Sequence, residues 1–325
     1  MTRRIRVGNG VDADLLSNAL TLIRSTRTIS FFMYHSSTQP KCILCGGQNW
    51  YSDSETTHVI RSRFSSANVV RCRNCGQGQL WPMPSQAEVR RIYESHDYVD
   101  SYDVAGEDFA ISGDKFVEQL RERFERIEVQ LPGRGTMLDV GASRGYFMHA
   151  ARQRGWQVNG LEAGKEAIEF AKRQFDLEIA HGVIESAELP NEQYDCVHMS
   201  HVLEHVLDPR GCIEKLHKTL KRNGLLVIEV PYEFGDLFER ARKWFLRRPR
   251  QSNSVPSTHL HFFTLATLGK LLQQTGFEVI YSATPRRNRS NDSQLPLGTL
   301  VKSMAYWAEY RWKRGPLIEF YARKL

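Results

Sequence analysis

The chain has 325 residues, 41% hydrophobic and 25% charged, ordinary for a soluble globular protein with a sizeable core. Its formal charge of +7 permits an anionic partner, whether nucleic acid, membrane surface or phosphorylated small molecule, and requires none. No run of about 18 apolar residues exists, so no membrane-spanning helix is expected.

The first 40 residues read as a weakly structured extension with one helical stretch over 13–23. Arg3, Arg4 and Arg6 are followed by no long apolar run, which makes a poor secretory leader. Met33 is a candidate native start. A cytoplasmic location is expected, and there six cysteines are metal ligands or buried thiols sooner than disulfides.

Residues 41–84 hold Cys42-Ile-Leu-Cys45-Gly and Cys72-Arg-Asn-Cys75-Gly, two pairs separated by 26 residues. Two residues between cysteines let a tight turn aim both sulfurs at one metal, and the following glycine suits the positive backbone angle of such turns. Cys42, Cys45, Cys72 and Cys75 are therefore expected to form a closed, structural zinc site in a small zinc-ribbon-like module. Cys196 and Cys212 lie in a strand and a helix pattern and read as buried thiols.

Residues 85–131 read as a helical connector, with Phe116, Leu120, Phe124 and Ile127 at helical spacing. From Thr136 onward short apolar runs alternate with amphipathic stretches. Strands are expected over 137–140, 157–161, 177–180, 194–200, 225–230, 277–282 and 317–322. Helices are expected over 145–154, 165–174, 210–220 and 266–275. This alternation implies an α/β domain over 132–325, with a doubly wound, mostly parallel seven-stranded sheet.

One strand–turn–helix junction carries chemistry: Met137-Leu-Asp139-Val-Gly141-Ala142-Ser143-Arg-Gly145. Glycine at 141 lets the backbone approach a ligand, and the helix start presents free N–H groups. The dinucleotide pattern G-x-G-x-x-G does not fit in register. Glu162, 23 residues after Asp139, stands at the tip of the next strand, where a carboxylate accepts from both ribose hydroxyls.

With these residues in view, 136–230 resembles the class I, Rossmann-like S-adenosylmethionine-dependent methyltransferases. The resemblance implies that the loop at Asp139, Gly141, Ala142, Ser143 and Gly145 lies against the methionine part of the cofactor. Glu162, with Ala163 beside it, would hold the ribose. Val183 and Ile184 in His181-Gly-Val-Ile-Glu185 would meet adenine, and Ser200, at the end of the fourth strand of the family, would also contact the cofactor. Arg222-Asn-Gly-Leu-Leu-Val-Ile-Glu-Val-Pro231 resembles its fifth strand. There are two departures. Family loops usually carry glycine where this chain has Ser143, and an acidic residue often stands where Val183 does, which leaves adenine to backbone groups and to packing by Ile184.

The cysteine pairs followed by Gly78-Gln-Leu-Trp-Pro-Met-Pro84, with His259-Leu-His261-Phe-Phe-Thr264 later on, resemble bacterial methyltransferases, some of which act on sugars and nucleotide sugars. Methyl transfer needs a base only where the acceptor must lose a proton. His201, His205, His259 and His261 are the candidates. The trio His201, Glu204, His205 also resembles, with His for the first Glu, a metal-binding trio of quinone-pathway O-methyltransferases, although no second metal is expected there.

The stretch 232–263 reads as a lid or acceptor wall. It carries Trp244 and Phe245 and, over 240–250, six basic residues in eleven. The leading expectation is a sugar or nucleotide-sugar acceptor whose phosphates meet these cations. The alternatives are an RNA methyltransferase, favoured by Arg61, Arg63, Arg71 and Arg73 in the module, and a non-catalytic zinc interaction protein. The same basic stretch admits peripheral contact with a membrane.

Overall fold

A computed structural model describes residues 40–52, 64, 67–93, 113–233, 258–285 and 315–325. The N-terminal extension, most of the 232–263 wall with its basic cluster, and Arg286, Arg287 and Arg289 lie outside the described residues.

Two sheets organise the described chain. The larger has seven strands: β4 (Thr136–Val140), β5 (Gln157–Glu162), β6 (Ile179–His181), β7 (Tyr194–Ser200), β8 (Leu220–Pro231), β10 (Phe277–Ala283) and β11 (Leu317–Lys324). Their order across the sheet is β10-β11-β8-β7-β4-β5-β6. All pairings from β6 to β8 are parallel, and β11 runs antiparallel to both β8 and β10. This is the Rossmann-like α/β sheet expected from the sequence. β8 starts at Leu220, directly after a helix, rather than at residue 225. The third strand is Ile179–His181, shifted from the expected 177–180.

The helices are α1 (Gln86–Tyr93), α2 (Gly113–Gln130), α3 (Tyr146–Gln153), α4 (Lys165–Phe175), α5 (Pro209–Thr219) and α6 (Leu265–Gln274). Their starts follow local chemistry. The Asp208 side chain accepts from Gly211 N–H ahead of α5, whose first residue is Pro209. Thr264 and Thr267 cap α6 reciprocally. On α2, Leu120, Phe124 and Ile127 are buried together with Met137, Phe147 and Trp156. The Phe116 side chain lies outside the described residues.

The smaller sheet has four strands in the order β1 (Trp50–Ser52), β2 (Asn68–Cys72), β3 (Gly78–Trp81), β9 (His261–Phe262). Its last strand comes from far down the chain, so the 41–84 segment does not close on itself. Its apolar face is completed by Leu260 and Phe262, packed on Phe64, Val69 and Leu80. No helix among the described residues is long and apolar enough to cross a membrane.

Candidate active site

The chain runs from β4 outward through β5 to β6, then returns to β7 on the other flank of β4. Adjacent strands whose connections diverge leave a crevice beyond their carboxyl ends, where ligands bind in such sheets. Asp139, Gly141 and Ser200 all lie at that point.

The turn after β4 is built for a close backbone approach. Gly141 has φ +74°, and a Cβ there would lie 2.3 Å from Val202 Cγ2. Ser143 also sits in the left-handed region, at φ +49°. That angle explains why glycine is usual at this position: an L side chain pays about 1–2 kcal/mol in that region. Ser143 N–H donates to Glu162 Oε2 at 2.7 Å, and Gly164 N–H donates to Glu162 Oε1 at 2.8 Å. Burial pushes the Glu162 carboxyl above the ordinary range, and these two N–H groups oppose it. Ala163 is exposed beside it. A carboxylate has about four acceptor sites, so Glu162 retains capacity for the hydroxyls of a ribose.

Two residues differ from their expected placement. Ile184 is buried in the main core with Leu161, because its side chain points into the sheet; the exposed neighbour is Val183. Of the two, only Val183, 43% exposed, presents its side chain to the surface. Asp139 is only 3% exposed and lies beneath the loop. Its Oδ1 is 2.7 Å from His198 Nδ1.

Asp139 opens a buried polar chain that the sequence reading missed. Arg123, from α2, reaches His198 Nε2 at 2.9 Å, Glu319 Oε1 at 2.8 Å and Glu229 Oε2 at 2.6 Å. A guanidinium only donates, so His198 Nε2 accepts and its Nδ1 carries the proton given to Asp139. The ring is neutral, and burial lowers its pKa in the same sense. Four adjacent strands thus each offer one group to Arg123 or to its histidine. The signal was present: His198, Glu229 and Glu319 interrupt apolar strands, and a charge there demands a partner. Nothing in the sequence pointed to Arg123.

The histidine candidates separate into different environments. His201, at φ +57°, places Nδ1 3.5 Å from Glu204 Oε1 and Nε2 3.5 Å from Glu229 Oε1. Burial works against its charge, but the two carboxylates outweigh it and raise the imidazole to about 9. The side chain is 47% exposed, so solvent weakens that hold. His205 is lowered to about 4 by burial, with His259 beside it acting in the same direction. Its ring meets the His259 ring edge-on at 4.8 Å between centroids.

His259 Nδ1 lies 2.5 Å from Glu233 Oε1. Burial disfavours its charge, but Glu233 prevails and holds the imidazole above the ordinary histidine range. Glu204 is 1% exposed, and neither of its carboxylate oxygens has a well-aligned hydrogen-bond donor. Donor atoms of Glu204, His205 and His259 all lie within 4.8 Å of one another. That compact set can share a proton or take a divalent cation.

His261 stands apart from the other three histidines. It is fully buried in β9, with Nε2 3.4 Å from Leu207 O, and burial lowers it to about 4. It therefore drops out of the catalytic candidates.

The two cysteine pairs converge. Cys42 Sγ lies 3.5 Å from Cys75 Sγ, and Cys45 Sγ lies 3.5 Å from Cys72 Sγ. All four sulfurs fall within 4.8 Å of one another. The knuckles are built alike: Gly46 N–H donates to Cys42 O at 2.9 Å, and Gly76 N–H to Cys72 O at 2.8 Å, with φ of +71° and +80°. Cys196 and Cys212 are buried.

The strand order, the glycine turn after β4 and the carboxylate at the tip of β5 together define an S-adenosylmethionine-dependent methyltransferase. Residues 113–282 match the family described as "Methyltransferase domain", and the chain belongs to that family.

Among curated relatives, the mitochondrial ubiquinone biosynthesis O-methyltransferase of Schizosaccharomyces pombe is 34% identical over 102 residues, covering 29% of this chain and 37% of that protein. The ubiquinone biosynthesis O-methyltransferase of Pseudomonas paraeruginosa is 33% identical over 101 residues, covering 29% and 44%. The match thus spans less than half the length of either relative. Among solved structures, the 1,6-didemethyltoxoflavin N1-methyltransferase of Burkholderia thailandensis superposes with TM-score 0.50 at 16% identity, covering 82% of this chain and 98% of that one. This last likeness concerns the fold.

Proposed function

We propose that this enzyme methylates a hydroxyl oxygen of a small molecule, with His259 as the base and Glu233 as the residue that orients it. The observation that carries the reading is the His259–Glu233 pair beside His205, on the turn that follows β7. A hydroxyl attacks the methyl carbon while losing its proton, so a base within reach lowers the barrier. S-adenosylmethionine supplies a methyl group on a sulfonium that is already electrophilic.

Glu233 accepts from His259 Nδ1–H, which fixes the ring and its tautomer and makes Nε2 the nitrogen that would take the acceptor proton. His205, kept neutral by burial, adds no opposing charge at neutral pH. His201 as imidazolium offsets Glu204 and Glu229. The crevice beyond β4 and β7 would hold the cofactor: Gly141 would allow the close backbone approach, Glu162 would receive the ribose, and Val183 would pack on adenine.

The names of the curated relatives favour a phenolic hydroxyl of the kind found in quinone precursors. A sugar or nucleotide-sugar acceptor rests on the resemblance of the front end alone. Purified enzyme with methyl-labelled S-adenosylmethionine should be offered catechols and hydroxybenzoates in one arm and nucleoside diphosphate sugars in the other. Label transfer to the phenols supports the phenolic acceptor, and transfer only to sugars overturns that choice; transfer only to RNA, offered in a third arm, overturns the small-molecule reading.

We also infer one structural zinc ion at Cys42, Cys45, Cys72 and Cys75. With Zn–S near 2.3 Å, a tetrahedron has S–S edges of about 3.8 Å, and the observed separations fit it. Four thiolates leave no open position, so the ion's role would be to hold the fold. Metal analysis should return one zinc per chain, and none in a Cys72→Ser/Cys75→Ser variant.

A further inference from the structure

We propose that the four-cysteine module positions the His259 segment, through strand β3, for its work in the active site. The inference rests on the reading of His259 as base, but its physical content can be tested separately.

The path from thiol to histidine is continuous. Cys72 N–H donates to Gln77 O at 2.9 Å, which ties the residues after Cys75 to the thiol cluster. Gln77, 1% exposed, leads straight into β3. Its Nε2 donates to Gly78 O at 2.9 Å and reaches Phe262 O at 3.4 Å. β3 pairs with β9 through Gly78 opposite Phe262 and Gln79 opposite His261. Leu80 N–H then donates to Leu260 O at 2.9 Å.

The same segment is also tied to the active site. Leu260 N–H donates to Glu204 O at 2.8 Å. His259 therefore enters a strand held both by the module and by the turn bearing Glu204 and His205. β9 is two residues long, and so short a strand has no stability of its own. Its order is borrowed from its neighbours. Leu260 and Phe262, both fully buried, take their apolar cover from Val69 and Leu80.

The other knuckle is anchored separately. Arg210, on α5, donates to Ile43 O at 3.1 Å through Nη2 and to Gln274 Oε1 at 2.6 Å. The first cysteine pair is thus fixed to the helix layer, and the second is fixed to β9. A metal held by both pairs would tie these two anchors together. The cofactor turn is not part of that link: Gly141 and Ser143 bond to Leu161 O and to Glu162.

The test is hydrogen exchange on the full-length protein, wild type against Cys72→Ser/Cys75→Ser, with calorimetric titration of S-adenosylhomocysteine on both. Exchange over 68–81 and over 258–263 should rise together, tenfold or more, while the S-adenosylhomocysteine Kd stays within threefold. Turnover of the phenol found in the acceptor screen should fall at least tenfold in kcat, with KM for S-adenosylmethionine unchanged. Gln77→Ala, which spares the thiols, should raise exchange over 258–263 alone. Continued protection of 258–263 while 68–81 exchanges freely overturns the proposal. Loss of S-adenosylhomocysteine binding with exchange rising throughout also overturns it, since the module would then support the whole fold. Unchanged turnover in His259→Gln would remove the base reading and leave the exchange result standing.

Discussion

Ser143 N–H is bound to Glu162 Oε2 at 2.7 Å, so the turn after β4 is tied to the tip of β5 by a charged acceptor. Glu162 therefore shapes that turn, and in the proposed reading it would also offer oxygen to a ribose. Glu162→Ala should weaken S-adenosylhomocysteine binding about thirtyfold, the equivalent of about 2 kcal/mol for bonds to a charged group. Calorimetric titration reads this directly. An unchanged affinity would place the ribose elsewhere.

The pH profile should report His259. A base acts only when unprotonated, and Glu233 holds this imidazole above its usual range. The acid limb of kcat/KM should therefore lie above about pH 6.5, with the rate rising as pH climbs through it. Glu233→Gln keeps the shape and removes the charge. It should move that limb downward and cost about tenfold or more in kcat. A limb that stays in place in the variant would sever the pair.

His261 titrates in the opposite sense. Its folded pKa of about 4 lies below the ordinary 6.5, so the unfolded chain binds a proton that the folded chain refuses. The stability it contributes is complete above pH 6.5 and is lost as pH falls towards 4. The loss amounts to about 3 kcal/mol, at about 1.4 kcal/mol for each pH unit of difference. Urea unfolding at pH 7 and pH 4.5 should show a steeper loss in wild type than in His261→Gln.

Arg123 compensates Glu229 and Glu319, and all three side chains are 4% exposed or less. Arg123→Met should destabilise the fold by about 3–5 kcal/mol, because it takes from two buried carboxylates the one buried cation they share. Adding Glu229→Gln should restore part of that loss. Denaturant midpoints of both single variants and the double variant form the check; additive losses would mean the groups act independently.

The sequence by itself determined the seven-stranded alternation, the glycine turn after Asp139, Glu162 at the end of the next strand, and the two cysteine knuckles. Each of these is written over a few consecutive residues, where hydrophobic period and turn chemistry act locally. Glycines at 46 and 76, with their positive φ, are legible for the same reason. The tertiary structure alone decided what long-range pairing decides. It brought Arg123 to Glu319 across 196 positions and joined β3 to β9 across more than 180. It also buried Ile184 where adenine packing had been expected, and it parted His261 from His259, which paired with Glu233. A strand pattern states that a residue faces one side of a sheet. Which distant side chain faces it there depends on how the whole chain satisfies its buried charges and backbone edges at once.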